Sequence, residues 1–305
     1  MQLEPDPVLF WRVRRTAPGA NSLGFVSKEI SVSKPSEVFR ILFLGDSVTE
    51  QGFPDIVERL LNARYLQHGR KVDAVKLAVS GYSSYQGRIM AEMYGRSLKP
   101  DLAFVFFGWN DHWQAYGETD AEKAPKVRKP GFGQRLVRLS RLVQWLSALG
   151  VRVRGARPPL EEMRVPLPLY RENLGAIKAT FRSAGVPLVL VTAPTAHYRL
   201  GVPDYLVHDK FVHDKESALI THRRYNEVVR DVATGDRVFV LDLERDLSFR
   251  SAEDLATIFT NDGIHLTAIG LATVAGRAVD LIETTLPAFQ RRRDGFTGVD
   301  ASTVR

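Results

Sequence analysis

Val38-Phe39-Arg40-Ile41-Leu42-Phe43-Leu44-Gly45-Asp46-Ser47-Val48-Thr49 is the stretch on which the fold of this 305-residue chain turns. A run rich in strand formers ends at a glycine. A short turn follows, and then a helical stripe of Phe53, Ile56, Val57, Leu60 and Leu61. A strand with no apolar–polar alternation is covered on both faces, as in a parallel sheet sandwiched between helices. The unit recurs along the chain. Residues 72–79, 102–107, 186–192 and 238–243 read as further strands, and residues 89–98, 169–184, 208–233 and 266–286 as helices. Strands alternating with helices imply parallel pairing through right-handed crossovers. The expected fold class is α/β: a doubly wound, flavodoxin-like three-layer sandwich of about five parallel strands.

One segment interrupts the alternation. Residues 111–168 are far longer than a simple connection between a strand and a helix. A basic loop (Lys123, Lys126, Arg128, Lys129) precedes an amphipathic stretch, residues 132–149. There Phe132, Leu136, Leu139, Val143 and Leu146 fall at helical spacing, with Arg135, Arg138 and Arg141 interleaved. The expectation is a basic helical insertion after the third strand. It would act as a lid, rest on an anionic surface, or pack as an ordinary helix beside the site. The domain plan is then residues 1–37 as an N-terminal extension, 38–288 as one domain holding the 111–168 insertion, and 289–305 as a frayed tail.

Charge follows the same division. The formal net charge is +7, yet residues 121–165 alone hold eleven Lys/Arg against three Asp/Glu, so the scaffold is close to neutral. Basicity confined to the insertion does not call for a nucleic-acid partner. It is consistent with steering an anionic substrate, or with peripheral contact to an anionic membrane surface through 121–165. Zero cysteine excludes disulfides, thiolate metal sites and a thiol nucleophile. The apolar runs are strand-sized, well short of the ~20 residues of a membrane span. The acidic, proline-broken start at Met1–Pro7 is unlike a secretory signal. The expected location is cytoplasmic, or periplasmic or membrane-associated if a longer precursor exists.

In an open parallel sheet, ligands sit beyond the carboxyl ends of the strands. The first strand is followed by Gly45-Asp46-Ser47, the second by Ser80-Gly81-Tyr82-Ser83-Ser84 and the third by Gly108-Trp109-Asn110-Asp111. Asp262-Gly263-Ile264-His265 precedes the last helix. Ser47, near a helix N-terminus, is a candidate nucleophile. His265 is the histidine placed to act as its base, and Asp262 could accept the other imidazole N–H and fix the tautomer. The backbone N–H groups of Ser47 and Gly81 and the amide of Asn110 would hold an oxyanion. Asp46 reads as support for the loop. Trp109, His112, Trp113 and Tyr82 adjoin the site, as substrate contacts or as local packing. Neither metal nor organic cofactor is expected. His208 and His213, five apart, would lie about 140° round a helix, which argues against shared ligation.

These four blocks, in this order, resemble the SGNH/GDSL hydrolase family over about residues 40–286, the insertion apart. The upstream Asn21-Ser22-Leu23-Gly24-Phe25 is similar to a segment preceding the first block in some members. The resemblance implies hydrolysis of carboxylic esters of lipids, acylated sugars or polysaccharides through an acyl-serine, with a small-molecule or polysaccharide partner. Some relatives transfer acetyl groups to polysaccharides with the same residues. A catalytically silent binding protein on the same fold is the remaining alternative. Thr49 stands where the Gly-x-Ser-x-Gly elbow of the α/β-hydrolases requires glycine.

Overall fold

Leu42 and Leu44 point to one side of their strand and Ile41 and Phe43 to the other, and all four are fully buried. Such a strand needs a layer on each face. The computed structural model, which describes residues 2–128 and 159–290, supplies both. The strands are β1 (Leu3–Asp6), β2 (Phe10–Val13), β3 (Val38–Gly45), β4 (Lys71–Ala78) and β5 (Leu102–Phe106). They continue with β6 (Gln114–Tyr116), β7 (Pro159–Met163), β8 (Leu188–Val191) and β9 (Val238–Leu241). Five of them form the central sheet in the order β4-β3-β5-β8-β9, every neighbouring pair parallel. Ile41 and Phe43 pack with Val57, Leu61 and Val274 from the helices Phe53–Tyr65 and Ala268–Thr285. Leu42 and Leu44 pack with Met90, Tyr170 and Val229 from Ser84–Tyr94, Leu167–Ser183 and Lys215–Val232. The three-layer, doubly wound expectation is what forms.

Winding reverses between β3 and β5, which opens the crevice. Gly45 pairs with both Ala78 and Phe106, so the loops after β3, β4 and β5 leave the sheet level with one another. Three of the four sequence blocks are therefore neighbours by strand register alone.

Boundaries moved where side chains cap helices. The helix expected at residue 89 begins at Ser84, because Ser83 and Gln86 form a capping box. The long helix expected over 208–233 is two: Asp204–His208, then Lys215–Val232, opened by Asp214, whose carboxylate accepts from Ser217 N at 2.8 Å. His208 and His213 thus share no helix; each is exposed beside its own aspartate.

The N-terminal extension is ordered. β1 and β2 pair antiparallel, burying Phe10 against Tyr85 with ring centroids 5.5 Å apart. Asn21 caps its own turn, accepting from the N–H groups of Leu23 and Phe25. At the other end Pro287–Gln290 is helical, and Phe289 is buried against Phe39 and Tyr65.

The insertion rises from a stem in which β6 and β7 pair antiparallel. Lys123, Lys126 and Arg128, read from sequence as a loop, lie on the helix Asp120–Arg128. Lys129 and the amphipathic stretch 132–149 fall outside the described residues. No helix among the described residues is long and apolar enough to cross a membrane.

Candidate active site

Asp46 caps the turn Ser47–Glu50, its Oδ1 accepting from Val48 N at 3.0 Å, and this presents Ser47 at the lip of the sheet. Gly45 leaves room for Thr49, whose Oγ1 would stand 2.0 Å from a Cβ there. The second oxygen of Asp46 accepts from Asn110 Nδ2 at 3.3 Å, tying the first and third loops together. Burial pushes the Asp46 carboxyl up to about 6.

Ser47 Oγ lies 2.8 Å from His265 Nε2, and His265 Nδ1 lies 2.5 Å from Asp262 Oδ2. A carboxylate only accepts, so Nδ1 carries the proton and Nε2 accepts from the serine. Asp262 Oδ1 takes three further donors: Ile264 N and His265 N, both at 2.9 Å, and Thr260 Oγ1 at 2.8 Å. Desolvation raises the Asp262 carboxyl, but these donors outweigh it and hold it well below the usual carboxylate range. The hydrogen bond that His265 donates to Asp262 lifts the imidazole above its ordinary value against the opposing effect of burial, and the charges of Asp262 and Asp46 add to it.

Gly81 adopts φ +84°, and a Cβ there would lie 3.2 Å from the Trp11 ring. Among the described residues neither Ser47 N nor Gly81 N meets an acceptor, so both backbone donors are left open in the loops after β3 and β4.

Several residues that hold this arrangement escaped the sequence reading. Gln51 clamps the main chain of Leu266 with both ends of its amide, Nε2 to the carbonyl and the N–H to Oε1, each at 3.0 Å. It stands four residues after Ser47, on the same helical face, a spacing that could have flagged it. Arg164 donates to the Gly81 carbonyl at 3.0 Å and pairs with the buried Asp120 at 3.0 Å, which also accepts from Ser83 Oγ at 2.6 Å. No local signal marks Arg164, since its partners are more than forty residues away in sequence. His197, the first residue of the short helix His197–Leu200 that follows β8, reaches the Asp262 carbonyl. Its signal in the sequence is its place just beyond the carboxyl end of the fourth central strand, the same kind of position that marks the first three blocks.

Of the four residues weighed as substrate contacts, three are buried by packing. Tyr82 is 0% exposed, its hydroxyl donating to the Trp11 carbonyl at 2.7 Å. His112 donates from Nε2 to His222 Nδ1 at 3.0 Å, because His222 Nε2 is committed to the Ala193 carbonyl at 2.8 Å. Burial pushes His112 down to about 3, so the ring is neutral. Trp109 stacks on His222 with centroids 4.1 Å apart. Trp113 alone of the four is half-buried. Asp111, beside Asn110, is buried, accepts from Ser84 N and is pushed up to about 7 by desolvation. Among the described residues no group of three or more His, Asp or Glu could hold a metal ion.

A doubly wound sheet with Gly-Asp-Ser after its first central strand and Asp-x-x-His before its last helix defines an SGNH/GDSL-type hydrolase. The chain belongs to the GDSL-like Lipase/Acylhydrolase family, whose model matches residues 43–272, and it is a hydrolase. No curated protein matches it in sequence. Among solved structures it is similar to a lipase/acylhydrolase from Enterococcus faecalis, with 17% identity, TM-score 0.52, and 80% of this chain and 95% of that one covered. An acetyl xylan esterase follows with 16% identity, TM-score 0.52, and 80% and 100% covered. A GDSL-like lipase from Bacteroides thetaiotaomicron VPI-5482 has 13% identity, TM-score 0.50, and 84% and 93% covered. At these identities the likeness is one of fold.

Proposed function

We propose that the protein hydrolyses carboxylic esters through an acyl intermediate on Ser47. Family membership supports ester hydrolysis in general. The observation that carries the finer reading is the unbroken line from Ser47 Oγ through the His265 ring to Asp262, at 2.8 and 2.5 Å. His265 Nε2 takes the serine proton as Oγ attacks the acyl carbon, and Asp262 stabilises the imidazolium. The carbonyl oxygen gains charge and is held by Ser47 N, Gly81 N and the Asn110 amide. His265 then protonates the departing alcohol, and water repeats the sequence on the acyl-enzyme.

Small acyl groups on sugars or polysaccharides are the substrates to try first, since one neighbour of the same fold is an acetyl xylan esterase. A panel of p-nitrophenyl esters from acetyl to palmitoyl, together with acetylated xylan, reads the preference. Ser47→Ala should cut turnover by about 10⁶-fold, as loss of the nucleophile does in serine hydrolases, and should abolish fluorophosphonate labelling with the fold intact. Undiminished turnover in that variant would overturn the assignment. A carbohydrate acceptor added to the assay, with acetylated product sought by mass spectrometry, separates acyl transfer from hydrolysis.

A further inference from the structure

We propose that His197 is a positioning residue of this site: its imidazole donates to the main-chain carbonyl of Asp262 and so holds the Asp262–His265 pair in register with Ser47. The proposal rests on the reading of Ser47, His265 and Asp262 as the reacting line.

The loop that carries the pair is fastened almost entirely to itself. Thr260 N bonds the His265 carbonyl, Gly263 N bonds the Thr260 carbonyl, and the Asp262 carboxylate collects Thr260, Ile264 and His265. Among the described residues, apart from the Ser47–His265 contact, every hydrogen bond from residues 260–265 to the rest of the protein comes from Thr195, Ala196 and His197. Ala196 N and Thr195 Oγ1 both donate to the Gly263 carbonyl, at 3.0 and 3.1 Å. His197 Nε2 lies 2.7 Å from the Asp262 carbonyl oxygen. Since a carbonyl only accepts, this ring carries its proton on Nε2.

The clasp has little slack. His197 is 3% exposed, and its own N–H is tied to Thr195 Oγ1 at 3.0 Å. Gly263 sits at φ +69°, and a Cβ there would approach the His197 ring to 2.5 Å, so the two surfaces are already in contact. On its other side the ring meets Trp109 edge-on at 5.4 Å, one residue from Asn110. The imidazole therefore wedges between the loop bearing the acid–base pair and the loop bearing the oxyanion donor. Burial pulls its pKa down, and because a carbonyl only accepts, Nε2 donates to Asp262 whether or not the ring is charged, so the bond does not alternate with pH. A displacement of the Asp262 backbone would be passed to its carboxylate and from there to the His265 ring.

The test uses the full chain with His197→Phe, which keeps a ring against Trp109 but loses the donor, and His197→Gln, whose amide restores a donor. Turnover of p-nitrophenyl acetate and an NMR titration of His265 are both read. In His197→Phe, kcat should fall about 10- to 100-fold with KM within about two-fold, the range expected for misplacement of a reacting group. The His265 pKa should also drop towards its ordinary value, as a weakened bond to Asp262 requires. His197→Gln should recover most of both. Wild-type kcat and His265 titration in His197→Phe would overturn the proposal. Equal damage in both variants would overturn it too, assigning His197 to ring packing alone. Should His197→Phe not fold, His197→Asn, whose amide is too short to reach, takes its place under the same criteria. The titration does not depend on turnover, so a wild-type protein inert towards esters would refute the functional reading while the clasp is still judged.

Discussion

Asp262 and His265 move each other's pKa values in opposite directions, and that opposition fixes how the site responds to pH. In the proposed mechanism His265 acts as base only when neutral, so activity should be lost as pH falls through its raised value. The acid limb of kcat/KM should therefore lie above the ordinary histidine value of about 6.5. Asp262→Asn should move that limb down and lower kcat by about 10³–10⁴-fold through the wrong tautomer. Stability follows from the same bond. The raised His265 contributes fully below about 6.5, its unfolded value, and loses its contribution as pH rises through the folded value. The depressed Asp262 contributes above about 3.9 and loses its contribution as pH falls towards its folded value. Urea unfolding should accordingly find Asp262→Asn most destabilised between about pH 4 and 6.5, relative to wild type, with the difference narrowing on either side.

Helices and loops are held in register by side chains that bond to the main chain of neighbouring loops. Gln51 joins the turn that bears Ser47 to the chain just beyond His265. Gln51→Leu should cost about 1–2 kcal/mol for the two lost bonds and lower kcat more than it raises KM, as measured by urea unfolding and steady-state kinetics. Arg164 does the same for the second loop, gripping the Gly81 carbonyl while neutralising Asp120, which is 3% exposed. Arg164→Leu leaves that carboxylate buried and unpaired, and should cost about 3 kcal/mol in thermal or urea unfolding. Because Arg164 sits at the foot of the insertion, the insertion's stem is part of the scaffold behind Gly81.

Across the whole molecule, charge and chemistry are segregated. The excess of basic residues lies in 121–165, following the Asn110 loop, while the sheet and its helices are close to neutral. We propose that this segment brings the protein to anionic surfaces. Co-sedimentation with vesicles containing anionic lipid should be substantial at low salt and fall steeply as ionic strength rises. Replacing Arg135, Arg138 and Arg141 with glutamate should abolish it without changing turnover of a soluble ester. Vesicle binding unaffected by either change would remove the surface role. The N-terminal extension belongs to the same larger-scale picture. Trp11 from β2 covers Gly81 and donates to the Ser80 carbonyl, so the first hairpin helps to shape the second loop.

What the sequence determined by itself was the layered sheet and which polar blocks follow its strands. Continuous apolar strands must be covered on both faces, and polar residues after such strands must gather at one edge. Hence residues 38–45 and the blocks around Ser47, Gly81, Asn110 and Asp262–His265 could be read locally. The N-terminal hairpin could not, because four-residue strands have no periodicity of their own and are ordered by Phe10 and Trp11 packing on distant rings. Nor could the burial of Tyr82, Trp109 and His112, which depends on His222 and Trp11 arriving from elsewhere in the chain. The residues that align the site, Gln51, Arg164 and His197, bond to main-chain atoms between 65 and 215 positions away. A main-chain carbonyl is the same at every residue, so no pattern in the sequence names it as a partner. Only the folded chain decides which carbonyl each donor finds.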